Sequence, residues 1–197
     1  MSEQNSSDII EVSSKKESPL KNGVEYVEIF VFAVCAVILF FSFFFRICTV
    51  RGQSMEDTLI AEENLLITDL FYSPKRGDII VFHQTKTLNE PIVKRVIATG
   101  GEHVSIIYYD ECMEISITDK NGQTEVLSEP YVVYKGHPFT TTPLSVTVPE
   151  GSLFVMGDNR NNSLDSRSFS IGLVDERRVL GKVIFRLTPL NRIGVVQ

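Results

Sequence analysis

Basic clusters, paired cysteines and metal-spaced ligands are all scarce in this chain, and each scarcity removes a class of function. Lysine and arginine together number 19 against 25 acids, for a formal net charge of −6, and no basic run exceeds a pair. Binding a phosphate backbone needs a basic footprint, so nucleic acid is not expected as a partner. Only three cysteines occur: Cys35 and Cys48 lie within or beside a long apolar run, and Cys112 stands alone in the rest. One thiol cannot form an internal disulfide, and no Cys/His spacing fits a zinc site, so neither disulfide nor metal is expected. His83, His103 and His137 lie in no recognisable catalytic setting, and Gly100-Gly101-Glu102 lacks phosphate-loop spacing. No internal repeat is found, and no cofactor is expected.

Charge is absent altogether from Ile29 to Phe45. As a helix this run would span roughly 26 Å, a little short of a ~30 Å hydrocarbon core. Ile47 to Val50 extend it while Arg46 reaches the interface. The region before it is long and polar and no Ala-x-Ala site follows it, so the run reads as a retained transmembrane anchor over 29–48. Lys15, Lys16 and Lys21 precede the run and Arg46 and Arg51 follow it, a balance that favours a cytoplasmic N-terminus. Residues 1–28 read as a polar tail, disordered over about the first 22.

After Thr49 the pattern is short β-branched runs separated by turns. Strands are expected at Leu65–Thr68, Asp78–Phe82, Ile92–Ala98, His103–Tyr109, Met113–Thr118, Glu125–Leu127, Ser145–Val148, Leu153–Met156 and Lys182–Leu187. Asn121-Gly122 offers a hairpin turn, and Asp175 to Leu180 is the one clear helical candidate. The fold class is therefore mainly β, twisted antiparallel sheets or a partly closed barrel behind one N-terminal transmembrane helix.

Two residues carry most of the chemistry. Ser54 lies in Arg51-Gly52-Gln53-Ser54-Met55-Glu56-Asp57-Thr58-Leu59, and Lys94 in the apolar stretch Pro91-Ile92-Val93-Lys94-Arg95-Val96-Ile97-Ala98. A serine hydroxyl needs a base to take its proton. A lysine kept in apolar surroundings can be that base, because desolvation penalises the ammonium. A third stretch, Gly157-Asp158-Asn159-Arg160-Asn161-Asn162-Ser163-Leu164-Asp165-Ser166-Arg167, is too polar for a strand and follows the apolar Leu153-Phe154-Val155-Met156. Its acids can pair with arginines, although a surface turn uses the same residue types.

Taken in order, the anchor, Gly52-Gln53-Ser54-Met55 with Thr58-Leu59, Lys75 to Phe82, Val93 to Ile97, and Val148 to Arg167 resemble the type I signal peptidases. These are membrane-bound serine–lysine enzymes that remove signal peptides from exported proteins, and the single short anchor resembles the Gram-positive type. The resemblance implies Ser54 as nucleophile, Lys94 as general base and Ser163 as the hydroxyl orienting the lysine amine. It implies backbone groups of Gly52 and Ser54 for the oxyanion, and loop-fixing ion pairs of Arg95 with Asp158 and Arg167 with Asp165. Val50, Met55, Leu59 and Val93 match positions lining shallow pockets that select Ala-x-Ala-like sites. Implied partners are secreted pre-proteins and the lipid bilayer, and residues 49–197 become an extracytoplasmic catalytic domain with a more variable insertion at about 103–150.

Two departures bear on activity. The family usually has proline where Asp57 stands and a small residue where Arg51 stands. Asp57 removes a rigid turn and, if close to Lys94, would stabilise the ammonium. It is expected to face solvent. The alternative function is a catalytically inactive, membrane-anchored binding or assembly module of the same fold. A self-cleaving serine–lysine repressor type is opposed by the anchor, and a cysteine transpeptidase by the acids flanking Cys112.

Overall fold

The computed structural model describes residues 19–83, 90–109, 112–132 and 142–196. The first 18 residues of the expected polar tail lie outside the described residues, as do parts of the 103–150 segment. The chain divides after Ser42 into two compact units.

The first unit is built on one helix, α1, Pro19–Phe44. Proline suits the first helical turn, where its missing N–H costs nothing. Gly23–Phe44 is long and apolar enough to cross a membrane, and none of it is buried against protein. An all-round apolar helix left uncovered is a membrane anchor, not a core helix.

The anchor was expected to run to residue 48, but the helix ends at Phe44 and Phe45–Thr49 is strand β1. Hydropathy does not separate the two states here. The pairing of β1 with β2, Asn64–Thr68, in register Phe45↔Thr68 to Thr49↔Asn64, decides it. Among the described residues twelve strands form two antiparallel sheets. The remaining strands are β3 Ile79–His83, β4 Pro91–Ala98, β5 His103–Tyr108, β6 Met113–Thr118, β7 Thr124–Val126, β8 Leu144–Thr147, β9 Ser152–Met156, β10 Val174–Asp175, β11 Val179–Thr188 and β12 Gly194–Val195. The larger sheet runs β1-β2-β11-β3-β4-β9-β10 with β12 on β11, an open path and not a closed barrel; the smaller runs β7-β6-β5-β8.

Strand β3 is apolar from Ile79 to Phe82 because both of its faces are covered. Ile79 and Val81 of β3 enter one core with Val50, Met55, Leu59, Leu65 and Val93. Ile80 and Phe82 enter another with Val96 and Val155. A third core, with Ile97, Phe154 and Met156 facing Val104, Ile106, Ile115 and Ile117, packs the smaller sheet on the larger. All residues from Val93 to Ala98 are buried, so any polar side chain in that run is taken out of water.

The helical candidate at 175–180 is only a single 3₁₀ turn, Glu176–Arg178, capped by Asp175, which accepts from Arg177 N. Val179 and Leu180 instead open β11, where Val179 pairs with Phe82. Three residues are too few to build an α-helix once the next ones are committed to a sheet.

Candidate active site

Ser54 belongs to the loop that joins β1 to β2. The loop is closed by backbone bonds from Val50 N to Glu63 O, 2.8 Å, and from Glu62 N to Val50 O, 2.9 Å. Inside it, Leu59 N donates to Met55 O at 2.8 Å, while Met55 and Leu59 anchor the turn in the core. Asn159 N donates to Ser54 O at 3.1 Å and Asn159 Nδ2 to Gln53 O at 3.0 Å, so a second loop grips the serine backbone.

Lys94 comes from the middle of β4. Its Nζ lies 2.6 Å from Ser54 Oγ and 3.0 Å from its neighbour Val93 O. The side chain is 3% exposed. Burial pulls its pKa down from 10.5 to about 8, against the raising effect of the Asp165 and Asp158 carboxylates and with help from Arg167. As an ammonium, Lys94 donates to the hydroxyl. Once it has lost a proton, the same short line lets the hydroxyl donate to the amine.

The loop after β9 is brought alongside because Arg95 pairs with Met156, the residue before Gly157. Asp158 is fully buried and takes Arg95 Nε at 2.9 Å and Nη2 at 2.7 Å, the fork geometry that suits a guanidinium. Its Oδ2 also accepts from Thr58 Oγ1 at 2.6 Å, which ties it to the serine loop. Asp165 takes Arg167 Nε and Nη2, both at 2.8 Å, and Gly157 N at 3.0 Å. Burial opposes its charge, yet the Arg167 pairing and the Gly157 N–H hold its pKa below the usual carboxylate value. The two expected ion pairs are thus both formed.

Gly157 is where the loops come closest. A Cβ there would fall 2.3 Å from Ser54 O and 2.3 Å from Ser163 Oγ. Ser163 is therefore beside Ser54, but the bonds of the Lys94 amine run to Ser54 and Val93. The Ser163 hydroxyl is buried without an aligned hydrogen-bond partner, although it lies near enough to Asp165 to help lower that pKa.

A cleft of about 220 Å³ opens over the pair, lined by Val50, Gly52, Ser54, Met55, Val93 and Lys94 among others. Leu59 is fully buried in the core and is not part of this wall. Gly52 has φ +79 with open space where a side chain would project. Asp57 is exposed, and the charges acting on Lys94 are those of Asp165, Asp158 and Arg167. Arg51 pairs at 2.9 Å with Glu90, and both line the cleft.

A family model described as signal peptidase, peptidase S26, matches residues 23–188. The chain belongs to this family of serine-type peptidases. It is 35% identical to signal peptidase IB of Staphylococcus aureus, over 81% of this chain and 87% of that protein. It is 32% identical to signal peptidase I of Leptolyngbya laminosa, over 91% of this chain and 85% of that one. A crystal structure of a signal peptidase I from Enterococcus faecalis V583 is 35% identical and covers 57% of this chain and 97% of its own, with a TM-score of 0.42.

Several members of this S26 site carry no local signal in the sequence. Ile92 and Leu164 also line the cleft. Glu129 and Tyr131, from the segment after β7, brace the arginines from behind. Glu129 pairs with the fully buried Arg160, and the Tyr131 ring lies 3.8 Å from Arg95 Cζ. The Tyr131 hydroxyl donates to Glu129 at 2.8 Å. Their partners Arg160 and Arg95 are brought to them only by the fold.

Proposed function

We propose that this chain is a signal peptidase I, a membrane-anchored endopeptidase that cleaves signal peptides from translocated pre-proteins with Ser54 as nucleophile and Lys94 as base. One observation carries the reading: a buried amine with a pKa drawn down to about 8 lies 2.6 Å from a serine oxygen at the floor of an apolar-walled cleft.

Neutral Lys94 takes the proton of Ser54 as Oγ attacks the scissile carbonyl carbon. The oxyanion meets the Ser54 N–H and the backbone at Gly52, where no side chain intrudes. The tetrahedral adduct then breaks its C–N bond, and the Lys94 ammonium returns the proton to the leaving amine. A water then gives one proton to Lys94 as its oxygen attacks the ester carbon. The bond from that carbon to Ser54 Oγ breaks as the Lys94 ammonium returns the proton to Oγ. The signal peptide leaves with a new carboxyl group, so that Ser54 and neutral Lys94 are restored. Val50, Met55 and Val93 supply apolar walls suited to small side chains, consistent with Ala-x-Ala-like sites. The pre-protein meets the domain at the bilayer, with the N-terminus cytoplasmic and the catalytic domain on the opposite side.

The inert-module alternative rested on Asp57. It loses force with that side chain exposed and the Lys94 shift set by burial. The test is cleavage of a pre-protein by purified full-length wild type, Ser54→Ala, Lys94→Ala and Cys112→Ala. Loss is expected in the first two variants only; an inactive wild type, or an active Ser54→Ala, refutes the assignment.

A further inference from the structure

The nucleophile turn lacks the proline that the family usually carries at position 57, yet its backbone is held from another direction. Arg186 Nη2, from β11, donates to Thr58 O at 2.8 Å. Arg192 Nη2, at the end of the 3₁₀ turn Leu190–Arg192, donates to Asp57 O at 3.2 Å and Thr58 O at 3.3 Å. Two guanidiniums side by side repel unless an anion lies between them. Glu63 is that anion: it is 2% exposed, with Oε2 3.1 Å from Arg186 Nε and Oε1 2.9 Å from Arg192 Nη1. These two contacts are close but not aligned as hydrogen bonds, so the attraction is Coulombic. Glu63 Oε2 also accepts from Ile60 N at 3.2 Å, which fixes the carboxylate to the same loop.

We infer that Arg186 and Arg192, held by Glu63, are positioning residues that clamp the turn after Ser54 and so set the line between Ser54 and Lys94. Thr58 is the hub. Its carbonyl is gripped by both arginines, and its hydroxyl donates to Asp158 at 2.6 Å. Asp158 in turn holds Arg95, the neighbour of the base. One continuous set of charge-assisted bonds therefore runs from β11 and the 3₁₀ turn that follows it, through the serine loop, to the lysine strand. No member of the clamp lines the substrate cleft. Its loss should displace the nucleophile without removing any contact to the peptide.

The inference rests on the dyad reading, and the experiment separates the two. Full-length wild type, Ser54→Ala, Arg192→Gln, Arg192→Lys and Arg186→Gln are compared in detergent micelles for kcat, KM and thermal midpoint on one pre-protein. Arg192 is partly exposed, so its variants carry the test even if Arg186→Gln fails to fold. Arg192→Gln is expected to lower kcat about tenfold or more with KM within about twofold, because small misplacements of reacting groups are costly. Arg192→Lys, which keeps one charged donor, should recover most of that loss. Unchanged kcat in Arg192→Gln, or a loss fully accounted for by unfolded protein, overturns the clamp while Ser54→Ala remains dead. A Ser54→Ala protein that still cleaves overturns the dyad and the clamp together.

Discussion

Ser54 Oγ and Lys94 Nζ are 2.6 Å apart although forty residues of chain separate them, and the amine that makes this contact is 3% exposed. One residue comes from a loop between two strands and the other from a strand covered on both faces. The sheet supplies the dryness, and the loop supplies the alcohol. Neither chemistry exists without the other, since a solvated lysine stays cationic near neutral pH.

The first prediction concerns the rate profile. Burial lowers the Lys94 pKa to about 8, so the base-competent fraction grows as pH rises through that value. The kcat/KM for a pre-protein should climb tenfold per pH unit below about 8 and level off above it. Initial rates from pH 6 to 10 check this. A limb centred near 6.5 would point to a histidine, and one near 10.5 to a solvated lysine.

The same shift fixes a stability signature. Below about pH 8 the lysine is charged in both folded and unfolded chains, and the folded state bears the whole desolvation cost. Between about 8 and 10.5 the unfolded chain binds more protons, so stability rises with pH. At about 1.4 kcal/mol per pKa unit, the burden is on the order of 3 kcal/mol. Lys94→Met should therefore be more stable than wild type at pH 6 to 7, less whatever the two lost hydrogen bonds contribute. That advantage should shrink as pH rises through 8 and reach its minimum near 10.5. Urea denaturation at a series of pH values measures it, and a gap independent of pH would contradict the shift.

Asp158 and Arg95 make a separable prediction. Both are buried, at 0% and 3% side-chain exposure. Asp158→Ala strands a buried guanidinium and should cost about 3–5 kcal/mol. Replacing both partners by apolar residues, Asp158→Leu with Arg95→Met, should recover much of that stability. Activity should not return, because Thr58 has lost its acceptor. Denaturant midpoints alongside turnover decide it; a double variant as active as wild type would reduce the pair to packing.

Much of this arrangement was legible in the sequence. The β-branched runs locate nine strands, and Ser54 and Lys94 stand out because each has a local setting that chemistry recognises. The loop's composition says only that its acids can meet arginines; the pairing of Asp158 with Arg95 and of Asp165 with Arg167 came from the resemblance to the signal peptidases. β1 was not legible: Phe45–Thr49 continues an apolar run, and only its distant partner, Asn64–Thr68, makes it a strand. β10 and β12 are two-residue pairings with no period to detect. Glu63, Arg186 and Arg192 look like ordinary surface charges because their meeting is set by tertiary structure. Leu59 shows the opposite limit, since an apolar residue in a motif does not reveal whether it faces a pocket or the core.

The closest approach in the site yields the last prediction. At Gly157 a methyl group would lie 2.3 Å from Ser54 O and Ser163 Oγ and 2.6 Å from Ser163 Cβ. Trimming Ser163 would not make room, because Ser54 O is backbone and is held by Asn159 N at 3.1 Å. Relief requires moving Ser54 or the loop that carries Asp158. Gly157→Ala should therefore lose about a hundredfold or more in kcat and about 1–3 kcal/mol in stability. Gly52→Ala is the contrast: the space is open, and the cost is the φ of +79, about 1–2 kcal/mol. Its turnover should fall less than that of Gly157→Ala, since the strain can be taken up in an exposed loop. Turnover of the two variants at one pre-protein concentration well above KM checks the order. The reverse order would mean that backbone placement at Gly52, and not the spacing of the two loops, governs the reacting oxygen.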